Sequence, residues 1–242
     1  AVSATAYGKK LEDGTIYLRL AQFGDGTPTE VKAYLKDLAV DSSDQLILDL
    51  RNNGGGYLNS VSAVASLFLA ENKVVMTEQY ASGPDDVIKT SGGQLTNIHN
   101  IVVLVNQNTA SAAEVMTLAL KQQRDDVTII GTTTYGKGTV QVSRTFSDGS
   151  ALKYTTAKWV SPDGTWVNGV GITPDVEVKL HDVMYHTFAS MEENETYQYD
   201  SVSDAVKGAQ LCLDYLSYAP GRTDGYFSAD TTEALKKFQS DH

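Results

Sequence analysis

Three short blocks of this 242-residue chain hold residue types that could do chemistry together. Ser111 follows an apolar stretch, Ile101–Val105, and a polar loop, Asn106–Ala110. It precedes a run with apolar residues at helical spacing, Ala112–Gln123. Unpaired N–H groups and the helix dipole favour negative charge at such a start, which suits a nucleophile that becomes an oxyanion. Lys137 stands between two glycines in Tyr135-Gly136-Lys137-Gly138. A lysine acts as a base only when neutral. A free lysine side chain titrates near about pH 10.4, so this chemistry requires burial, which disfavours the ammonium. Gly54-Gly55-Gly56 is the third block. Backbone N–H groups turned into a concavity stabilise a tetrahedral oxyanion, by about 3–4 kcal/mol per donor. Alone, the three blocks also read as a helix cap, a solvated loop lysine and a strand-to-helix turn. Together they supply a nucleophile, a base and oxyanion donors at strand ends, the set that acyl transfer needs.

Rival chemistries find less support. His99, His181, His186 and His242 are scattered, and there is no Gly-x-Ser-x-Gly elbow to anchor a Ser-His-Asp triad. His181 and His186 are five apart with no ligand cluster around them, so no metal and no other cofactor is expected. The stretch Gly131–Thr139 comes within one residue of a phosphate-binding loop. That loop needs Ser or Thr straight after its lysine and a helix starting there. Here Gly138 follows, and Thr139-Val140-Gln141-Val142 alternates like a strand, so nucleotide binding is not expected.

The elements that must position these blocks alternate. Strands are expected at Ile16–Leu20, Leu46–Leu50, Ile101–Val105 and Val127–Gly131. A helix is expected from Thr27-Pro28-Thr29-Glu30, with Thr27 as its cap, another near Ser60–Leu69 and a third over Ala112–Gln123. Val140, Val142 and Phe146 alternate with polar residues, and Asp148-Gly149 turns the chain into Ala151–Trp159. The pattern is α/β with mixed pairing. Near residue 190 the composition shifts: 191–200 reads as an acidic linker. Beyond it, Val202, Val206, Leu211, Leu213 and Leu216 suggest one helix and Thr231–Phe238 another, with Pro220-Gly221 and Asp224-Gly225 between them.

Composition narrows the partners. Nineteen Lys and Arg against thirty Asp and Glu give a net charge of −11, a poor match to nucleic acid or an anionic membrane surface. With 41% hydrophobic and 20% charged residues, collagen-like and wholly disordered readings fall away. No apolar run approaches the length of about 18 residues that spans a bilayer. The single cysteine, Cys212, makes neither an internal disulfide nor a zinc-thiolate cage. The chain opens Ala-Val-Ser-Ala with no charged-then-apolar leader, so an export signal, if there is one, is expected to lie outside this sequence.

The three blocks resemble those of the C-terminal processing (tail-specific) peptidases, serine proteases with a Ser–Lys dyad. Asp49-Leu50-Arg51-Asn52-Asn53-Gly54-Gly55-Gly56 is similar to the family's Asp-Leu-Arg-x-Asn-Pro-Gly-Gly, with Gly54 where proline is usual. Asn108–Glu114 resembles the nucleophile block, Tyr135–Gln141 the block of the base, and Gly171–Asp175 the closing strand segment. The resemblance implies Ser111 as nucleophile, Lys137 as general base, Gln141 as its orienting partner, and the amides of Ala112, Gly55 and Gly56 as the oxyanion hole. It implies a crotonase- and Clp-protease-like core over 15–190, an endopeptidase acting near substrate C-termini, and a polypeptide partner added as a strand. The family's PDZ domain has no counterpart in the lead-in 1–14. Residues 201–242 resemble the first half of a helical peptidoglycan-binding domain through Ala209-Gln210-x-x-Leu213, Asp224–Phe227 and Thr231–Gln239. That implies an all-α appendage, peptidoglycan as a second partner, and a secreted or envelope location. The alternative is a catalytically silent envelope protein that binds peptidoglycan or peptide.

Overall fold

Strands Gln45–Asp49 (β3), His99–Val105 (β6) and Val127–Gly131 (β7) alternate fully buried and half-buried side chains. Leu46, Leu48, Ile101, Val103, Val127 and Ile129 form the buried row. The computed structural model describes residues 3–40, 44–93, 95, 98–188 and 195–242. Its larger sheet runs β1-β2-β3-β6-β7-β10, where β1 is Ala6–Lys10, β2 Ile16–Leu20 and β10 Val176–Glu177. All neighbours pair in parallel except β1, which is antiparallel to β2. The carboxyl ends of β3, β6 and β7 therefore lie side by side, and a parallel sheet builds its sites at that edge.

Helices Thr27–Asp37 (α1), Leu58–Ala65 (α2) and Ala112–Gln123 (α3) cover the buried row. The second sheet runs β5-β4-β9-β8, with β4 at Glu71–Tyr80, β5 at Asp86–Ser91, β8 at Thr139–Thr145 and β9 at Ala151–Val160. The mixed α/β architecture matches the expectation, β4 and β5 fill a stretch where no element was expected, and three expected details differ. Ala6–Lys10, in the stretch read as lead-in, is a strand. Glu30 holds it there, its Oε2 accepting from Thr5 N–H at 2.7 Å and Ala6 N–H at 2.8 Å. Thr27 is not the cap of α1. Gly26 is, and the buried Thr27 hydroxyl lies 2.6 Å from that of Thr5. α2 stops at Ala65 rather than Leu69, because the bonding tightens to Leu67 N–H on Val64 O and Phe68 N–H on Ala65 O.

The chain divides into two units, Ala1–Val178 and Lys179–His242. In the second, Asp204–Tyr215 (α4) and Ala229–Asp241 (α5) are capped by the Ser203 and Ser228 hydroxyls. Buried Gln210 ties the unit together. Its Nε2 donates to Tyr226 O at 2.7 Å, and its Oε1 accepts from Gly225 N–H at 2.9 Å. Gly225 has φ +94, and a Cβ there would stand 2.6 Å from Ser203 O. Of the expected acidic linker, 191–194 lie outside the described residues. Among the described residues no helix is long and apolar enough to cross a membrane.

Candidate active site

Each expected site residue but Gln141 lies on a loop at the carboxyl edge of the larger sheet or at the helix start that follows. The loop after β3 carries Gly55 and Gly56, the loop after β6 leads to Ser111 and Ala112, and the loop after β7 carries Lys137. Backbone bonds stitch the three together. Ala110 N–H donates to Asn53 O at 2.9 Å, and Tyr135 N–H donates to Thr109 O at 2.9 Å. The buried Thr109 hydroxyl donates to Leu50 O at 2.8 Å.

Ser111 caps α3 with φ 55 and ψ −121, a conformation that costs a non-glycine residue about 1–3 kcal/mol and persists only where the surroundings over-determine it. What holds it is Glu114. This side chain is fully buried, yet its carboxylate accepts four hydrogen bonds. Oε2 takes Ser111 N–H at 2.9 Å and Lys137 N–H at 2.8 Å. Oε1 takes Gly136 N–H at 2.7 Å and the Thr134 hydroxyl at 2.6 Å. Thr134 can donate there because its oxygen already accepts Ile172 N–H at 2.7 Å. Ser111 and Glu114 form a reciprocal cap, the Ser111 side chain facing the Glu114 N–H and the Glu114 carboxylate taking the Ser111 N–H. The Glu114 N–H also donates to Ser111 O at 2.8 Å.

The base block is clamped by two indoles: Trp159 Nε1 donates to Lys137 O at 2.7 Å and Trp166 Nε1 to Gly138 O at 2.8 Å. Gly136, at φ +82, lets this loop lie against Gly171, where a Cβ would come within 2.6 Å of Gly171 N. Lys137 itself is half-buried. β8, a strand and not a helix, begins two residues later, so the phosphate-loop reading has no helix to support it. Gln141 lies on β8, exposed, beside a bulge in its pairing with β9. Among the described residues its side chain has no hydrogen bond to Lys137.

The glycine block divides its labour. A Cβ on Gly55 would stand 2.8 Å from Ser111 Cβ and 2.9 Å from Ala112 N, so only glycine leaves open the space before the helix start. Its own N–H, expected as an oxyanion donor, is given to Asn53 Oδ1 at 2.9 Å. What Gly55 leaves at this point is room. Gly56 packs on Phe23, where a Cβ would come within 2.2 Å of Phe23 O. Among the described residues neither the Gly56 N–H nor the Ala112 N–H has an acceptor. Behind the loop, Asp49 is buried and accepts from Arg51 N–H at 3.0 Å, Arg51 Nε at 2.9 Å and the Tyr17 hydroxyl at 2.6 Å. Burial pushes the Asp49 carboxyl up, but these bonds more than offset it and hold it below the usual carboxylate range.

The sequence reading gave Glu114, Asn53 and Thr134 no role. For Glu114 the usable signal is Ser-x-x-Glu at a helix start, the spacing of a reciprocal cap.

The model of Peptidase family S41 matches residues 14–178. The chain belongs to this family. Carboxy-terminal processing protease CtpA of Bacillus subtilis (strain 168) is 33% identical over 97% of this chain and 49% of its own length. CtpB of the same organism is 32% identical over 96% of this chain and 48% of its own. The chain thus spans about half the length of these family members. Among solved structures, the photosystem II D1 C-terminal processing protease superposes with TM-score 0.63 and 29% identity, covering 74% of this chain and 49% of that one. A peptidoglycan binding domain model matches residues 202–242, outside the S41 region.

Proposed function

We propose that this chain carries the catalytic core of a serine endopeptidase that works through a Ser111–Lys137 dyad on polypeptides near their C-termini. Neutral Lys137 takes the Ser111 proton as the hydroxyl attacks a peptide carbonyl. The tetrahedral oxyanion is met by the amides of Ala112 and Gly56, over the space that Gly55 leaves open. The amine leaves with that proton, and water then releases the acyl-enzyme. Gln141 orients the amine of Lys137 once substrate is bound. Residues 201–242 bind peptidoglycan and hold the enzyme in the cell envelope.

One observation carries this reading: the buried Glu114 carboxylate takes the backbone amides of both Ser111 and Lys137 on a single oxygen. A reciprocal helix cap accounts for the Ser111 bond, but a solvated loop lysine would not bring its own amide to the same oxygen. Ser111→Ala and Lys137→Ala, assayed separately on an unfolded protein, each abolish cleavage under this proposal. If both cut as fast as the parent, the assignment is wrong. Parent protein that cosediments with peptidoglycan but cuts nothing would favour the silent binding protein.

A further inference from the structure

Helix α1 carries the chain from the carboxyl end of β2 back to the amino end of β3, the edge of the larger sheet opposite Ser111 and Lys137. There the second half of α1, the end of α2 and the segment after β5 border a cavity of about 480 Å³, within the range of about 300–1,000 Å³ that small-molecule sites occupy. Its apolar lining includes Leu35 and Leu67, both members of the buried core, and Val40, half-buried against that core. The wall after β5 is fixed. Gly93 passes so close to the end of α2 that a Cβ would overlap Ser66 O. The Ser66 hydroxyl oxygen accepts Ser91 N–H at 3.0 Å, and the Thr90 hydroxyl donates to Ala70 O at 2.6 Å. Among the described lining residues the polar side chains are Lys32 and Lys36 alone. They are four apart on α1, so they lie a turn apart on one face, and both are exposed. Among the described residues neither has an ion-pair partner.

We infer that this cavity binds a free amphiphilic anion, a single aliphatic chain that ends in one anionic head group. The inference goes beyond the peptidase reading and does not depend on it. The ligand class follows from what the lining can satisfy. Apolar walls favour the burial of an apolar chain. A sugar, a nucleotide or a peptide backbone brings several polar groups, each of which would lose water and find no side-chain partner among the described lining residues except the lysines. One anionic head meets both ammonium groups at once, while their methylene stems extend the apolar surface. Charge sharpens the choice. A chain of net charge −11 repels anions as a whole, so a bound anion needs cations of its own, and Lys32 and Lys36 supply two. The same net charge, and a recess of this size, suit one free molecule better than an anionic membrane surface.

The test titrates the full chain with monomeric decanoate by isothermal titration calorimetry, with decanol as the chain alone and acetate as the head alone. The parent should bind one decanoate saturably, at least 10-fold more tightly than either fragment. In Lys32→Gln/Lys36→Gln the decanoate Kd should rise at least 10-fold. Lys32→Arg/Lys36→Arg, and the charge-matched control Lys207→Gln/Lys236→Gln in the second unit, should stay within threefold of the parent. No saturable binding in the parent, an unchanged Kd in Lys32→Gln/Lys36→Gln, or an equal rise in the control overturns the inference. Binding to phosphatidylglycerol vesicles without binding to monomeric decanoate would give the lysines to a membrane surface and overturn it as well. Decanoate binding that a phosphonate adduct on Ser111 abolishes would place the ligand at the catalytic serine, with the same consequence.

Discussion

The backbone amides of Ser111 and Lys137 donate to the same oxygen of Glu114, at 2.9 and 2.8 Å. Their nitrogens can be no further apart than those two bonds laid end to end. Residues 26 apart in sequence, on loops after neighbouring strands, are thereby held in one register. The carboxylate positions both residues through their main chains.

Glu114→Gln keeps the shape but replaces one acceptor oxygen by a donor that faces two donors. Leaving such groups unpaired costs about 2–4 kcal/mol. We expect kcat to fall about 100-fold with KM within threefold, because substrate contacts are untouched while the two reacting groups lose register. Steady-state kinetics and a thermal melt check this. A variant that is destabilised yet keeps the parent kcat would reduce Glu114 to a structural residue.

Gly55→Ala places a methyl where 2.8 Å separates it from Ser111 Cβ, on a backbone at φ +101 that side chains rarely adopt. Overpacking of this kind costs about 1–3 kcal/mol, which a folded domain survives. The methyl also fills the space before Ala112 N. The expected loss is about 100-fold or more in kcat, in the range found when an oxyanion donor is removed. Retained activity in a folded variant would place the oxyanion elsewhere.

Asp49 sets an acid limit. Its folded carboxyl is held below the ordinary range by Arg51 and Tyr17, against the effect of burial. A depressed folded value means that its contribution is complete above the unfolded value of about 3.9 and is lost as pH falls through the folded one. The parent should therefore melt above Asp49→Asn at pH 6, with the margin shrinking only below about pH 4. A margin that is constant down to pH 2.5 contradicts this.

Gln210→Ala leaves Gly225 N–H and Tyr226 O without their buried partner. Each orphan costs about 1–3 kcal/mol. The second unit should lose stability and peptidoglycan binding, while turnover of a small ester at Ser111 stays at the parent rate. Loss of both together would contradict independent roles for the two matched regions.

Much of this was legible in the chain. β7 carries clean periodicity, α3 is a largely apolar run, and both appear at the expected bounds. Two of the three site blocks, those of Gly54–Gly56 and Lys137, announce themselves by glycine, which marks backbone that must bend or come close. What stayed hidden was set by tertiary pairing. β1, Ala-Tyr-Gly-Lys-Lys, has no apolar alternation and exists because Glu30 and β2 hold it. β4 pairs through two register shifts that break its alternation, and β5 pairs with it through the same shifts. Glu114 looked like an ordinary acidic residue in a helix's first turn, and its burial comes from the loop after β7 folding over it. The Gly55 amide could be seen as a donor, but not that Asn53 would claim it.

The most direct measurement is the rate at which a fluorophosphonate labels the parent, Ser111→Ala and Lys137→Ala, with the adduct located by mass spectrometry. The account predicts an adduct on Ser111 in the parent, none in Ser111→Ala, and labelling at least 100-fold slower in Lys137→Ala. Labelling of Lys137→Ala at the parent rate, or an adduct on any other residue, would contradict it.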